Sequence, residues 1–252
     1  MFEPFELVAA FRTASPSPEA MSQVPALRSI WDLFVIECVF TVSGGFMDAY
    51  SFIAHGHVFA NAQTGNVVFF AVYATEGNWF QAIRHVPPIV ACILGVSAAR
   101  LLGVRAEKQT FRATLLCQGI ELAVLSGLAL FASRLPDDWV VPIISFAVAL
   151  QITSFDALGP WSFNSAMTTS NIKNATTGFV LWLIGKERAK NRGRAIVSTA
   201  ACLSFLLGAL FGGFYTYRHE AHALTPVVFL VLTGLLLTWR KRQINTKQAR
   251  SK

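Results

Sequence analysis

Eight apolar stretches follow one another along the chain, at about 33–53, 58–73, 87–103, 113–132, 139–158, 163–184, 195–214 and 224–239. Most approach the ~20 residues a helix needs to cross ~30 Å of hydrocarbon. Only 14 % of residues are charged, against roughly a quarter in soluble domains. A membrane-spanning β-barrel would need short alternating strands, and the sequence has none. The fold class is therefore an all-α polytopic membrane protein.

The formal charge of +7 is not spread evenly. Basic residues gather at Arg100, Arg105, Lys108 and Arg112, then from Lys186 to Arg194, then from Arg240 to Lys252. Each cluster adjoins an apolar stretch, where the positive-inside rule places cytoplasmic loops. No aromatic residues interleave with them as a single-strand binding surface requires. Nucleic acid is therefore excluded, and anionic membrane lipids are the expected partners of these charges.

Sequence also recurs within the chain. Thr64-Gly65-Asn66 returns as Thr169-Ser170-Asn171, and Leu101-Leu102-Gly103 as Leu206-Leu207-Gly208, both 105 residues on. The stretch 124–130 returns, slipped by two, as 231–237. Repeats with polar interruptions at matching positions are a signature of transporters and channels. If all eight stretches crossed, three segments would put the first two basic clusters on opposite faces. The positive-inside rule is restored when each half makes three crossings and its polar segment makes none of its own. The expectation is about six net crossings in two inverted-topology repeats, about 31–134 and 138–239, each with a broken or re-entrant polar segment. Residues 1–30 read as a flexible cytoplasmic lead-in without a signal peptide's basic-then-apolar order. Residues 240–252 read as a basic cytoplasmic tail, so both termini lie inside.

The segments that fail to cross carry the polar residues. The first runs from Gly44 through Asp48, Ser51, His55 and His57 to Thr64, Gly65 and Asn66. The second runs from Gln151 through Thr153, Ser154, Asp156, Gly159-Pro160, Ser162, Asn164 and Thr168 to Thr169 and Asn171. Non-helical backbone at membrane depth persists only where protein or water satisfies its polar groups. Half-helix ends then aim their dipoles at a common point near the midplane. Asp48, Thr64, Gly65, Asn66, Gln151, Thr169 and Asn171 are the candidate solute-binding residues.

The residues Gly45-Phe-Met-Asp-Ala, Thr64-Gly-Asn, Leu150-Gln and Thr169-Ser-Asn resemble the YoaK family of bacterial inner-membrane proteins, a domain of unknown function (DUF1275). Ser170 stands where glycine is common in that pattern. The similarity runs from about Trp31 to Trp239. It implies an inner-membrane protein of about six helices and no established activity.

Several residues carry two readings. Asp48 is either a site carboxylate, because an ionisable group in apolar sequence marks function by default, or a helix cap. Glu37 and Glu121 are proton or cation ligands, or pair with a basic residue. Lys173 attracts an anion or balances Asp48, or snorkels to the interface. Asn66 and Asn171 bind solute or satisfy broken backbone. Gly208 and Gly212 form a small-xxx-small pair for internal packing or a homodimer.

The histidine pairs lack ligand spacing, since His219-Glu-Ala-His222 is not the zinc-protease pattern. No metal or other cofactor is therefore expected. Cys38, Cys92, Cys117 and Cys202 are scattered through apolar segments and read as core residues. No nucleophile elbow or nucleotide loop occurs, which argues against an enzyme. A transporter or channel for a small solute fits the paired breaks; the alternative is a non-transporting scaffold or assembly factor.

Overall fold

The computed structural model describes residues 18–103, 111–154, 168–219 and 223–250. Among them every regular element is helical: α1 (Pro18–Ala54), α2 (Gln63–Thr75), α3 (Trp79–Arg84), α4 (Val86–Leu101), α5 (Phe111–Phe131), α6 (Asp137–Ser154), α7 (Thr168–Leu183), α8 (Arg188–Arg218) and α9 (Thr225–Arg250). Four segments are long and apolar enough to cross a membrane: Asp32–Ala54, Trp79–Leu101, Arg112–Phe131 and Arg188–Arg218. Asp138–Ser154 is a shorter apolar helix. Leu101, Leu130, Leu210, Phe214 and Phe229 all face outward, as they do on a multi-pass bundle whose solvent is hydrocarbon.

Lipid is as apolar as leucine, so association inside a membrane depends on close packing and hydrogen bonds. Helix α1 occupies the centre: 61 % of the apolar stretch within its span is buried, against 28–33 % of the corresponding stretches in the other three long segments. It packs against α8 and α9, while α6 packs against α4 and α5; α9 also meets α5, and α7 lies on α8. The first helix of each half thus rests mainly on a helix of the other half.

Glycines set the crossings. A Cβ built at Gly45 would strike the Phe205 carbonyl, one at Gly208 the Val42 carbonyl, and one at Gly212 the Phe46 backbone. Val42 opposes Gly208 and Phe46 opposes Gly212, so α1 and α8 run in the same direction. At the α4–α6 crossing a Cβ on Gly95 would meet the Phe146 carbonyl and Ala149. A Cβ on Gly234 of α9 would enter the Phe40 ring of α1.

Three features differ from the sequence expectations. Helix is already in place at Pro18, within the expected lead-in, because proline fits the first helical turn where its missing N–H goes unneeded. The expected tail is helical to Arg250. The Leu-Leu-Gly match also fails in three dimensions. Gly103 ends α4 with φ +93°, whereas Gly208 lies mid-helix against α1, a position served at the α4–α6 crossing by Gly95. Leucine-rich sequence aligned by chance where packing did not.

A sharp contrast in glycine tolerance follows. Gly208→Ala forces two helix backbones apart, and overpacking of this kind costs about 1–3 kcal/mol. Gly127→Ala, with nothing within 4 Å of its Cβ, is neutral or stabilising by up to ~1 kcal/mol. Thermal melts of the two purified variants check the difference.

Candidate functional site

After Ala54 the chain turns back along the helix it has just left. Gly56 and His57 adopt φ +71° and +64°, and residues 58–62 return beside the last turns of α1. Helix α2 then starts at Gln63 and spans only 13 residues, about 20 Å at 1.5 Å per residue, too short to cross a bilayer.

Every turn of this return is tied down. Asp48 Oδ1 accepts from the backbone N–H of Asn61 at 2.7 Å and of Ala62 at 3.3 Å. Ser51 Oγ accepts from Ala60 N at 3.0 Å. The Ala60 carbonyl accepts from Ser145 Oγ of α6 at 2.6 Å and from Gln63 Nε2 at 3.0 Å. Asn66 pairs with the Phe59 backbone in both senses: its Oδ1 accepts from Phe59 N at 3.0 Å, and its Nδ2 donates to Phe59 O at 2.8 Å.

The Asn66 oxygen also faces His85 Nδ1 at 3.3 Å. An accepting oxygen requires the proton on Nδ1, which leaves His85 Nε2 a bare buried acceptor without a partner among the described residues. Rings complete the clamp: Phe52 stacks on Phe59 at 4.9 Å, and His85 stacks on Phe69 at 5.4 Å and Tyr73 at 5.7 Å. A Cβ on Gly65 would lie 2.8 Å from the Phe59 ring, so glycine there lets the ring seat against α2.

Beside this clamp lies a cavity of about 960 Å³. Phe52, Phe59, Val96, Ile152 and Phe205 belong to its apolar wall. Its polar wall holds Asp48, Asn61, Gln63 and Thr64 from the first half, and Thr168, Thr169 and Ser170 from the first turn of α7. Asn61 is 8 % exposed, and its Oδ1 has no hydrogen-bond partner among the described residues.

The structure thus brings Asp48, Thr64 and Thr169 to one cavity, with Gly65 behind. Asn66 is buried in the clamp. Gln151 lies elsewhere, fastening α6 to α1: its Nε2 donates to the Phe40 carbonyl at 3.0 Å and its Oε1 accepts from Ser43 at 3.2 Å. Asn171 is buried in α7, Lys173 is exposed, and Glu37 and Glu121 are buried away from the cavity wall. Asp156, Gly159-Pro160, Ser162 and Asn164 lie outside the described residues.

Sequence reasoning did not nominate Asn61, Ser51, Ser145 or His85. Asn61 and Ser51 stood within the polar segment and could have been found there. Ser145 and His85 matter only through contacts distant in sequence and had no local signal.

The Asp48 contacts yield a test of acceptor against charge. Asp48→Ala strands two backbone donors and costs about 2 kcal/mol. Asp48→Asn keeps an accepting oxygen and costs less than half of that. Thermal melts of purified protein compare the two, and equal losses would mean that the charge holds the loop.

Comparison with known proteins places these features in a family context. No solved structure matches the chain. UPF0700 transmembrane protein YoaK of Bacillus subtilis (strain 168) is 21 % identical over 207 residues, covering 78 % of this chain and 89 % of that protein. The model of the family described as "Protein of unknown function (DUF1275)" matches residues 36–237. That range takes in Asp48, both Thr-x-Asn motifs and every wall of the cavity. The chain is a multi-pass membrane protein that belongs to the DUF1275 family.

Proposed function

We propose that the protein moves a small solute across the membrane, as a transporter or channel, and that its solute site is the cavity between the starts of α2 and α7. One observation carries this reading: a single cavity takes its polar wall from Asp48, Asn61 and the first turns of two short helices, α2 and α7, that lie about a hundred residues apart in the chain. Unpaired ends of half-helices facing a shared space are how membrane carriers hold polar groups at depth. A scaffold has no use for a polar-walled cavity or for an uncommitted, buried Asn61 oxygen.

The proposal includes topology. Helix α1 crosses outward, the return and α2 make no net crossing, the continuous segment α3–α4 crosses inward and α5 outward. Helices α6, α7, α8 and α9 repeat that path from the opposite face, giving six net crossings with both termini and all basic clusters cytoplasmic. The parallel pairing of α1 with α8 supports it. So does the Arg84–Asp138 ion pair at 3.0 Å, which joins the start of the inward segment to the start of α6 at one level. Partners in this reading are a small solute and membrane lipids; the residues act by binding, not by catalysis. The membrane is the bacterial inner membrane.

Single cysteines in a variant lacking Cys38, Cys92, Cys117 and Cys202 test both parts. Lys190→Cys and Arg240→Cys are expected to react only from the cytoplasmic side, and Asp138→Cys only from the other. Thr64→Cys and Thr169→Cys are expected to react with a small water-soluble thiol reagent, with each protected when a solute binds. Failure of both to react from either side would remove the solute site.

A further inference from the structure

Outside the cavity wall, α5 carries a buried polar pair that the solute reading does not use. Glu121 is fully buried at the middle of the 21-residue α5, and neither carboxylate oxygen has a hydrogen-bond partner among the described residues. One turn earlier on the same face, Gln118 is equally buried, and its Oε1 is also unpartnered. The orientation of that amide follows from its neighbour. Thr238 of α9 donates its hydroxyl proton to the Gly234 carbonyl at 2.8 Å, so it faces Gln118 as an acceptor. The Gln118 atom at 3.2 Å from it must therefore be the donating Nε2, which turns Oε1 away from Thr238.

Three acceptor oxygens thus share one helix face with no donor of their own. Helices α6 and α9 pack against α5, yet residues 139–154 of α6 and 225–239 of α9 contain no ionisable side chain; the first buried cation along α9 is Lys241, one turn beyond Thr238, and Asp32 is the acid beside it. Asp137 and Asp138 sit at the far end of α6. Cys117 on α5 is the titratable neighbour, and its thiol meets Ser154 of α6. An unneutralised carboxylate at this depth costs several kcal/mol. Hard divalent cations take about six or more oxygen ligands, whereas three oxygens are offered here. Among the described residues no group of three or more His, Cys, Asp or Glu gathers.

We propose that Glu121 and Gln118 form a proton-binding site, in which Glu121 is held as the neutral acid and its O–H is directed at Gln118 Oε1. The site stands whether or not the cavity carries a solute. A proton held at mid-membrane apart from the cavity is a means of linking the state of the bundle to pH.

Infrared spectra of the full-length protein in lipid nanodiscs test it. Wild type minus Glu121→Gln at neutral pH is expected to show a carboxylic-acid C=O band. That band is expected to shift to higher frequency in Gln118→Leu, which removes the acceptor, and to ignore added sodium or potassium. Glutamine keeps the shape of the neutral acid and an N–H donor, so Glu121→Gln is expected to melt at the wild-type temperature. Carboxylate bands in place of the acid band would overturn the proposal. So would loss of the acid band on adding sodium, which would assign the site to a metal cation. Failure of Glu121→Gln to fold would mean that a charge is required, and would overturn it as well.

Discussion

The arrangement depends on satisfying backbone where the chain stops being helical inside an apolar bundle. The amides of Phe59, Ala60, Asn61 and Ala62 would each be stranded without a partner, at the cost that makes irregular backbone rare in membranes. Asp48, Ser51 and Asn66 meet all four of those N–H groups. Because the return is fixed, α2 begins at a defined depth, and the cavity has a wall instead of a loose loop. The proposed solute site is a by-product of solving a hydrogen-bonding problem.

That view changes the standing of Asp48. A carboxylate in apolar sequence invites a role in transport, but here one oxygen is committed to the backbone. The side-chain oxygen of Asn61 on the same wall is buried and has no hydrogen-bond partner among the described residues. Chemistry and architecture share a few residues, so substitutions that leave acceptors in place are more informative than alanine.

Much of the bundle was legible in the sequence, for reasons of scale. Long apolar runs and basic clusters register over tens of residues, so the helical class and the polar breaks around Asp48 and Thr64 could be read directly. The Thr-Gly-Asn and Thr-Ser-Asn pair was legible because polar residues stand out in apolar surroundings. The Leu-Leu-Gly match misled because leucine-rich helices resemble one another in any register, and only packing against α1 reveals which glycine matters. Gln151 looked like a ligand and serves as a fastener. Ser145, His85 and the exchange of helices between halves depend on tertiary contacts that no local pattern encodes.

That exchange has a consequence for biogenesis. Val42 and Phe46 enter the membrane long before Gly208 and Gly212 have been translated. During that interval the central helix of the finished protein lacks the surface it is shaped to meet. The first half is therefore an incomplete object when it leaves the ribosome, and either lipid or the insertion machinery must shield α1 until α8 arrives. A chain cut between α5 and α6 would yield two fragments, each missing the other's central contact, that become a protein only by finding one another in the bilayer.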